Sequence, residues 1–258
     1  MDVRPEVYYY RKMHDLNTLA ASILTRLADA AVRERGRFTF VLSGGGTPRS
    51  LYRLLTTPPF IEALPWARTH VFWGDERMVP RDHGDSNYAM ALETLLSNAP
   101  LPQSNIHPIP VEAGDPERSA EAYEQELRRC FSRWSEKDGS PSAGESIEGF
   151  PVFDFMLLGM GKDGHTASLF PGSRMVDESK RWARPVADPG LPPFVPRVTL
   201  TLPVINQARC AAFLISGPDK SALADRILTD PTPSQEHYPA ARVRPRGRLI
   251  WFIAGEQA

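Results

Sequence analysis

The chain has 258 residues, enough for one large α/β domain with a substantial core. With 24% charged residues and a net charge of −1, it has no basic surplus for nucleic acid and no cationic run for an anionic membrane, so any anion must be held by a local site. Two cysteines without C-x-x-C or metal-type spacing, no apolar signal core at the N-terminus and no 18-residue apolar run point to a reduced, cytoplasmic setting.

Apolar spacing through Leu16, Leu19, Ile23, Leu27 and Ala31 predicts a helix over Asp15–Arg33, with Asp15 or Asn17 as N-cap and Gly36 as its end. Phe38–Leu42 reads as a buried strand. The loop Ser43-Gly44-Gly45-Gly46-Thr47 follows, then a helix over Pro48–Leu55 with Thr47 at the N-cap and Pro48 at the first helical position. His70–Trp73 is a second buried strand that runs into Gly74-Asp75-Glu76-Arg77. Ser86 caps a helix through Leu96, Ile106–Ile109 makes a short strand, and Asp115–Trp134 is a long amphipathic helix. The Gly/Ser/Glu-rich segment Asp138–Gly149 reads as a flexible surface loop. Phe153–Leu158 is apolar on both faces and needs a sheet to join. Strands over Trp182–Val186 and Arg197–Thr201 flank a proline-rich turn. A short helix spans Leu202–Ala208, a strand Ala211–Ser216 and a helix Pro218–Leu228, and Leu249–Ile253 closes the sheet. Strand and helix alternate without an internal repeat. The expectation is a single domain over 1–258, built as one doubly wound, mostly parallel sheet with helices on both faces.

Four predicted strands end in unusual loops: 43–48, 74–77, 159–165 and 216–220. In an open parallel sheet all strand C-termini share one edge, so these loops should converge. Successive glycines at 44–46 expose backbone N–H groups, the next helix points its positive end at them, and Ser43 and Thr47 add hydroxyls. This is an anion cradle or a ligand-free tight turn; it lacks the Walker A lysine. Arg77 suits bidentate phosphate contact or pairing with Asp75 or Glu76. Lys220, after Gly217, suits phosphate as a point charge or a solvated first helical turn. His165 is the candidate general base, with Asp163 two residues away to orient it; the bland reading is a histidine packed in the turn.

Gly159, Gly161 and Gly164 match the dinucleotide fingerprint G-x-G-x-x-G, and Asp188 falls where a ribose-binding acid is expected. Pro171 and Gly172, however, cut short the helix that would hold a pyrophosphate, which argues against NAD. His14, His70, His83, His107 and His237 have no spacing that suggests metal ligands, and no serine elbow G-x-S-x-G occurs.

Ser43–Pro48, Gly74–Pro80, Ser86-Asn87-Tyr88, Gly159–Pro171, Arg197-Val198-Thr199 and Gly217 with Lys220 resemble, in order and spacing, the 6-phosphogluconolactonase family from about residue 8 to 254. Gly46 stands where the family often has serine, which keeps the backbone cradle. The resemblance implies hydrolysis of a sugar-phosphate lactone, 6-phospho-D-glucono-1,5-lactone, with no metal and no organic cofactor. It implies His165 as base and Asp163 as site acid, and Arg77 and Lys220 as phosphate ligands beside the 43–47 loop. Asp75, Gly161, Gly164 and Arg197 complete the expected substrate site. Glucosamine-6-phosphate deaminases have similar loops and are the alternative, but the glutamate of their histidine loop falls on Phe170, which cannot relay a proton. A non-catalytic sugar-phosphate sensor would need the cradle and Arg77 but not His165 or Asp163.

Overall fold

The computed structural model describes residues 4–112, 114–138, 146–147 and 149–255. Its elements are, in chain order, β1 (Glu6–Tyr10), α1 (Met13–Arg35), β2 (Phe38–Leu42), α2 (Pro48–Leu55), α3 (Phe60–Ala63), β3 (Thr69–Trp73), β4 (Asp75–Arg77), α4 (Asn87–Ala91), β5 (Ile106–His107) and α5 (Pro116–Asp138). There follow β6 (Ser146–Ile147), β7 (Phe150–Pro151), β8 (Phe155–Leu158), β9 (Ala183–Val186), β10 (Arg197–Leu200), α6 (Leu202–Asn206), β11 (Cys210–Ser216), α7 (Pro218–Thr229), α8 (Pro231–His237) and β12 (Arg248–Ala254).

Seven strands pair in parallel in the order β1-β12-β11-β8-β2-β3-β5. Every residue of β2 and β11 is buried, as expected for parallel strands covered on both faces. Alternate side chains serve opposite layers. On one face Phe40 meets Tyr52 of α2 edge-on at 6.4 Å. On the other, Phe72 meets Phe131 and Trp134 of α5. From β2 the chain proceeds to β3 and β5 toward one edge, then returns to β8 on the opposite side of β2 and continues outward to β11 and β12. The winding reverses between β2 and β8, the place where open α/β sheets bind ligands.

Several details differ from the sequence-based expectation. Leu249–Ile253 lies within β12 but does not close the sheet, because β1 pairs outside it and forms the edge. The strands expected near 182–186 and 197–201 do not join the main sheet. With β4, which reads as a loop in sequence, they form a separate antiparallel sheet in the order β4-β10-β9. Lys12, not Asp15 or Asn17, precedes α1. Asn17 is buried instead and donates to Ser50 Oγ at 2.8 Å. The strand expected over 106–109 covers only Ile106–His107. Ser86 caps α4 as expected, accepting from Ala89 N at 3.1 Å, and Asp115 accepts from Arg118 N at 2.8 Å at the start of α5. Of the loop expected over 138–149, residues 139–145 and 148 lie outside the described residues; β6 and β7 pair as a short hairpin.

Candidate active site

The loops after β2, β3, β8 and β11 meet at the carboxyl edge of the sheet around a cleft of about 170 Å³. Ser43 is fixed at the end of β2 by Tyr52, whose fully buried hydroxyl accepts from Ser43 N at 2.8 Å and donates to Ser43 O at 2.9 Å. Gly44 has no room for a side chain, since a Cβ there would stand 1.9 Å from Asn87 Oδ1. Thr47 precedes α2 without capping it, because its hydroxyl is turned to Ser216 Oγ at 3.1 Å and ties the first loop to the end of β11. Ser43, Gly44, Gly45, Gly46 and Thr47 all line the cleft.

The second loop supplies one acid to the cleft and uses the other as an anchor. Asp75 is buried in the cleft wall, where it accepts from Ser168 Oγ at 2.6 Å and Asn87 Nδ2 at 3.3 Å. Glu76 points away. Its Oε1 accepts from Arg77 N and Asn87 N at 2.7 and 2.8 Å, and its Oε2 from Tyr88 N and Ser86 Oγ at 2.7 and 3.2 Å. Burial pushes the Glu76 carboxyl above the usual range, although these backbone donors pull it down. The carboxylate thereby holds the start of α4 and places Asn87 in the cleft.

Arg77 pairs with neither Asp75 nor Glu76; its Nη1 donates to Asp85 O at 2.7 Å. In the small sheet Arg77 stands opposite Arg197, which is 3% exposed and donates to Pro193 O at 3.3 Å. Both guanidinium groups line the cleft, and both Nε atoms are buried without a hydrogen-bond partner among the described residues. Burial lowers the Arg197 pKa and Arg77 lowers it further, against the opposing pull of Asp75 and Asp85. Two adjacent cations on a concave wall have the charge and the fork geometry that suit an anion. Lys220, in the first turn of α7, reaches the same cleft. Burial depresses its pKa, Lys162 adds to the effect, and Asp163 opposes it. Asp219 does not answer this charge, as it pairs with Lys162 at 2.6 Å.

In the third loop His165 Nδ1 lies 2.6 Å from Asp163 Oδ1. Burial raises the Asp163 carboxyl, but hydrogen bonding and charge from His165 prevail and leave it below its usual value. With Nδ1–H donating to this carboxylate, Nε2 is left as an acceptor. Gly161 N donates to His165 O at 2.9 Å, and a Cβ on Gly161 would stand 2.2 Å from His165 Nδ1, so only glycine lets the loop close around the pair. Gly161 and His165 line the cleft. Gly164, expected at the substrate, is not among the lining residues. Its φ of 81° turns the chain, and a Cβ there would strike Tyr238 at 2.5 Å, so its constraint is packing. No helix begins directly after Gly164, and the next helical turn starts only at Arg174, which argues against the dinucleotide reading. Phe170 covers the imidazole, with ring centres 4.8 Å apart.

The cleft thus gathers every expected site residue except Gly164 and Asp163, and Asp163 reaches it only through its contact with His165. Sequence reasoning did not assign roles to Asn87 or Ser168. The signals were the Ser86-Asn87-Tyr88 run and the glycine that makes way for Asn87, but neither says which side chain turns inward.

Residues 11–251 match the family model described as glucosamine-6-phosphate isomerases/6-phosphogluconolactonase. A 6-phosphogluconolactonase from Synechocystis is 42% identical over 237 residues, covering 91% of this chain and 90% of the relative. The crystal structure of 6-phosphogluconolactonase from Thermotoga maritima superposes with a TM-score of 0.78 at 31% identity, covering 97% of this chain and 99% of the other. A monomeric glucosamine-6-phosphate deaminase shares the fold, with a TM-score of 0.75 at 20% identity over 96% of this chain and 97% of the other. Cleft, fold and sequence agree, and the chain belongs to the glucosamine-6-phosphate isomerase/6-phosphogluconolactonase family.

Proposed function

We propose that this protein hydrolyses 6-phospho-D-glucono-1,5-lactone to 6-phosphogluconate, the second step of the oxidative pentose phosphate pathway. The observation that carries the reading is the Asp163–His165 pair at 2.6 Å on a cleft that Arg77 and Arg197 also line. An acid-oriented base beside an anion site is what attack of water on a phosphorylated lactone requires. The sugar phosphate is anchored by Arg77, Lys220 and the 43–47 loop. His165 Nε2 takes a proton from water as the oxygen adds to the lactone carbonyl, and the same nitrogen returns it to the ring oxygen as the C–O bond breaks. Asp163 holds the imidazole in that tautomer. Arg197, Asp75 and Gly161 complete the substrate wall.

The deaminase reading is disfavoured by Phe170, an apolar ring against the histidine where a proton-relaying glutamate would be needed. A sensor has no use for the oriented base. Residues 1–258 form one domain in this reading, supported by the pairing of the first strand with the last. Among the described residues no helix is long and apolar enough to cross a membrane. Residence in the cytoplasm is supported by two buried, unpaired cysteines.

The test compares three substrates under identical conditions: the 6-phosphorylated lactone, unphosphorylated gluconolactone and glucosamine 6-phosphate. The first should be hydrolysed well above its spontaneous rate, the second with a much higher KM, and the third not at all. Equal use of the two lactones would remove the phosphate anchor, and turnover of the amino sugar would restore the deaminase.

A further inference from the structure

At the edge of the main sheet away from the cleft, three side chains of different donor type converge. His107 comes from β5, and Glu126 and Cys130 lie one turn apart on α5. Glu126 Oε1 is 2.8 Å from His107 Nδ1 and 3.4 Å from Cys130 Sγ, and the sulfur is 3.6 Å from the same nitrogen. All three donor atoms lie within 4.8 Å of one another, with His107 and Cys130 buried. The spacing of 107, 126 and 130 conceals this cluster in sequence, because one ligand is brought in by an edge strand. The expectation of no metal ligand at His107 rested on spacing alone.

We propose that His107 Nδ1, Glu126 Oε1 and Cys130 Sγ bind one borderline divalent transition-metal ion, with zinc the best match. Zinc takes nitrogen at about 2.0–2.1 Å, carboxylate oxygen at about 2.0–2.2 Å and sulfur at about 2.3 Å. In a tetrahedron those lengths place the donors roughly 3.4–3.6 Å apart. Two sides of the observed triangle already have that length, and the nitrogen–oxygen side needs to open by about half an ångström. The mixed nitrogen, oxygen and sulfur set argues against magnesium or calcium, which take oxygen.

The surroundings hold the ligands in place. His70 Nδ1 lies 3.1 Å from His107 Nε2, and Phe72 stacks on the His107 ring at 4.6 Å. An outer partner on the second ring nitrogen is the usual support of a metal-bound histidine. On binding, His107 changes tautomer so that Nε2–H donates to His70 Nδ1, the His70 proton shifts from Nδ1 to its own Nε2, and the thiol proton leaves to solvent. Arg129 grips Glu126 through Nε and Nη2 at 2.8 and 2.7 Å, which orients the carboxylate but competes for Oε1, so the affinity is modest. The Glu126 side chain is 28% exposed and gives the ion a route in. The bound ion would clamp β5 to α5. Tyr123 of the same helix, whose hydroxyl donates to Trp73 O at 2.9 Å, carries that clamp toward the strand that enters the second loop of the cleft.

The test is a Co²⁺ titration of the metal-stripped, full-length protein, read by absorbance. One equivalent should produce the intense near-ultraviolet thiolate-to-cobalt band, and Zn²⁺ should abolish it by displacement. Cys130→Ser, which keeps a hydroxyl donor of similar size, should lose the band and still hydrolyse the lactone, while Cys210→Ser should keep it. If Cys130→Ser does not fold, Glu126→Gln serves, with Co²⁺ binding at least tenfold weaker. Absence of a thiolate band in the native protein, its survival in Cys130→Ser, its loss in Cys210→Ser or unchanged affinity in Glu126→Gln would each overturn the proposal.

Discussion

At the scale of single residues, the proposed hydrolysis depends on how His165 is held. General-base loss costs about 10²–10⁴-fold in rate, so His165→Ala should lower kcat by that much with little change in KM. Asp163→Asn should also lower kcat, since an amide cannot fix the imidazole in the same charge state. The pair has an acid signature. The folded Asp163 pKa lies below its usual 3.8, so its contribution to stability is present above that value and is lost as pH falls through the lower folded value. The stability gap between native protein and Asp163→Asn, read by chemical denaturation, should therefore shrink as pH falls below the usual carboxyl value of 3.8. Glycines give a contrast. Gly161→Ala places a methyl 2.2 Å from His165 Nδ1 and should abolish turnover, whereas Gly46 has open space at that position, so Gly46→Ala should turn over normally. Steady-state kinetics on both variants check this. The histidine, its acid and the cradle were legible in sequence because glycine spacing and residue type carry them. The inward turn of Asn87 was not, because it depends on a buried carboxylate eleven residues earlier.

Among elements, the antiparallel trio β4-β10-β9 is what sequence reasoning placed least well. Asp75-Glu76-Arg77 is charged and too short to show a strand period, so it reads as loop. Its pairing with Arg197-Val198-Thr199 is a contact more than one hundred residues distant in the chain. That pairing brings Arg77 beside Arg197, so the adjacency of these two cations depends on an unrecognised strand. The start of α4 is tied to the same strand through Glu76. Glu76→Gln would set an amide NH₂ against backbone donors, which should cost about 1–3 kcal/mol in unfolding free energy and raise KM through displacement of Arg77 and Asn87. Unchanged stability in that variant would mean that the four hydrogen bonds to Glu76 do not form. β8 has a comparable anchor. Asp154 Oδ2 accepts from Thr39 N and Oγ1, both at 2.8 Å, and Oδ1 pairs with Arg35 at 3.0 Å. Removing this nearly buried partner by Asp154→Ala should cost about 3 kcal/mol, measured by denaturant unfolding.

For the whole molecule, the alternation of buried strands and amphipathic helices was enough to predict the parallel sheet, and sheet topology was enough to predict that four loops converge. The position of β1 was hidden because Glu6–Tyr10 mixes an acid with tyrosines and is at most half-buried, as befits an edge. Its pairing with β12 joins the two ends of the chain, with Arg248 Nε and Nη2 each 2.7 Å from a Glu6 carboxylate oxygen. The reversal of winding between β2 and β8 explains why the glycine loop at 43–47 and the histidine loop, far apart in sequence, become neighbours. We propose that this convergence makes an esterase-like site driven by His165. The most direct measurement is the initial rate of 6-phosphogluconate formation from freshly generated lactone, corrected for spontaneous hydrolysis, for native protein and His165→Ala side by side. Strong acceleration by the native protein and a loss of about 10²–10⁴-fold in the variant are expected. Native-like turnover in His165→Ala, or no acceleration by the native protein, would contradict it.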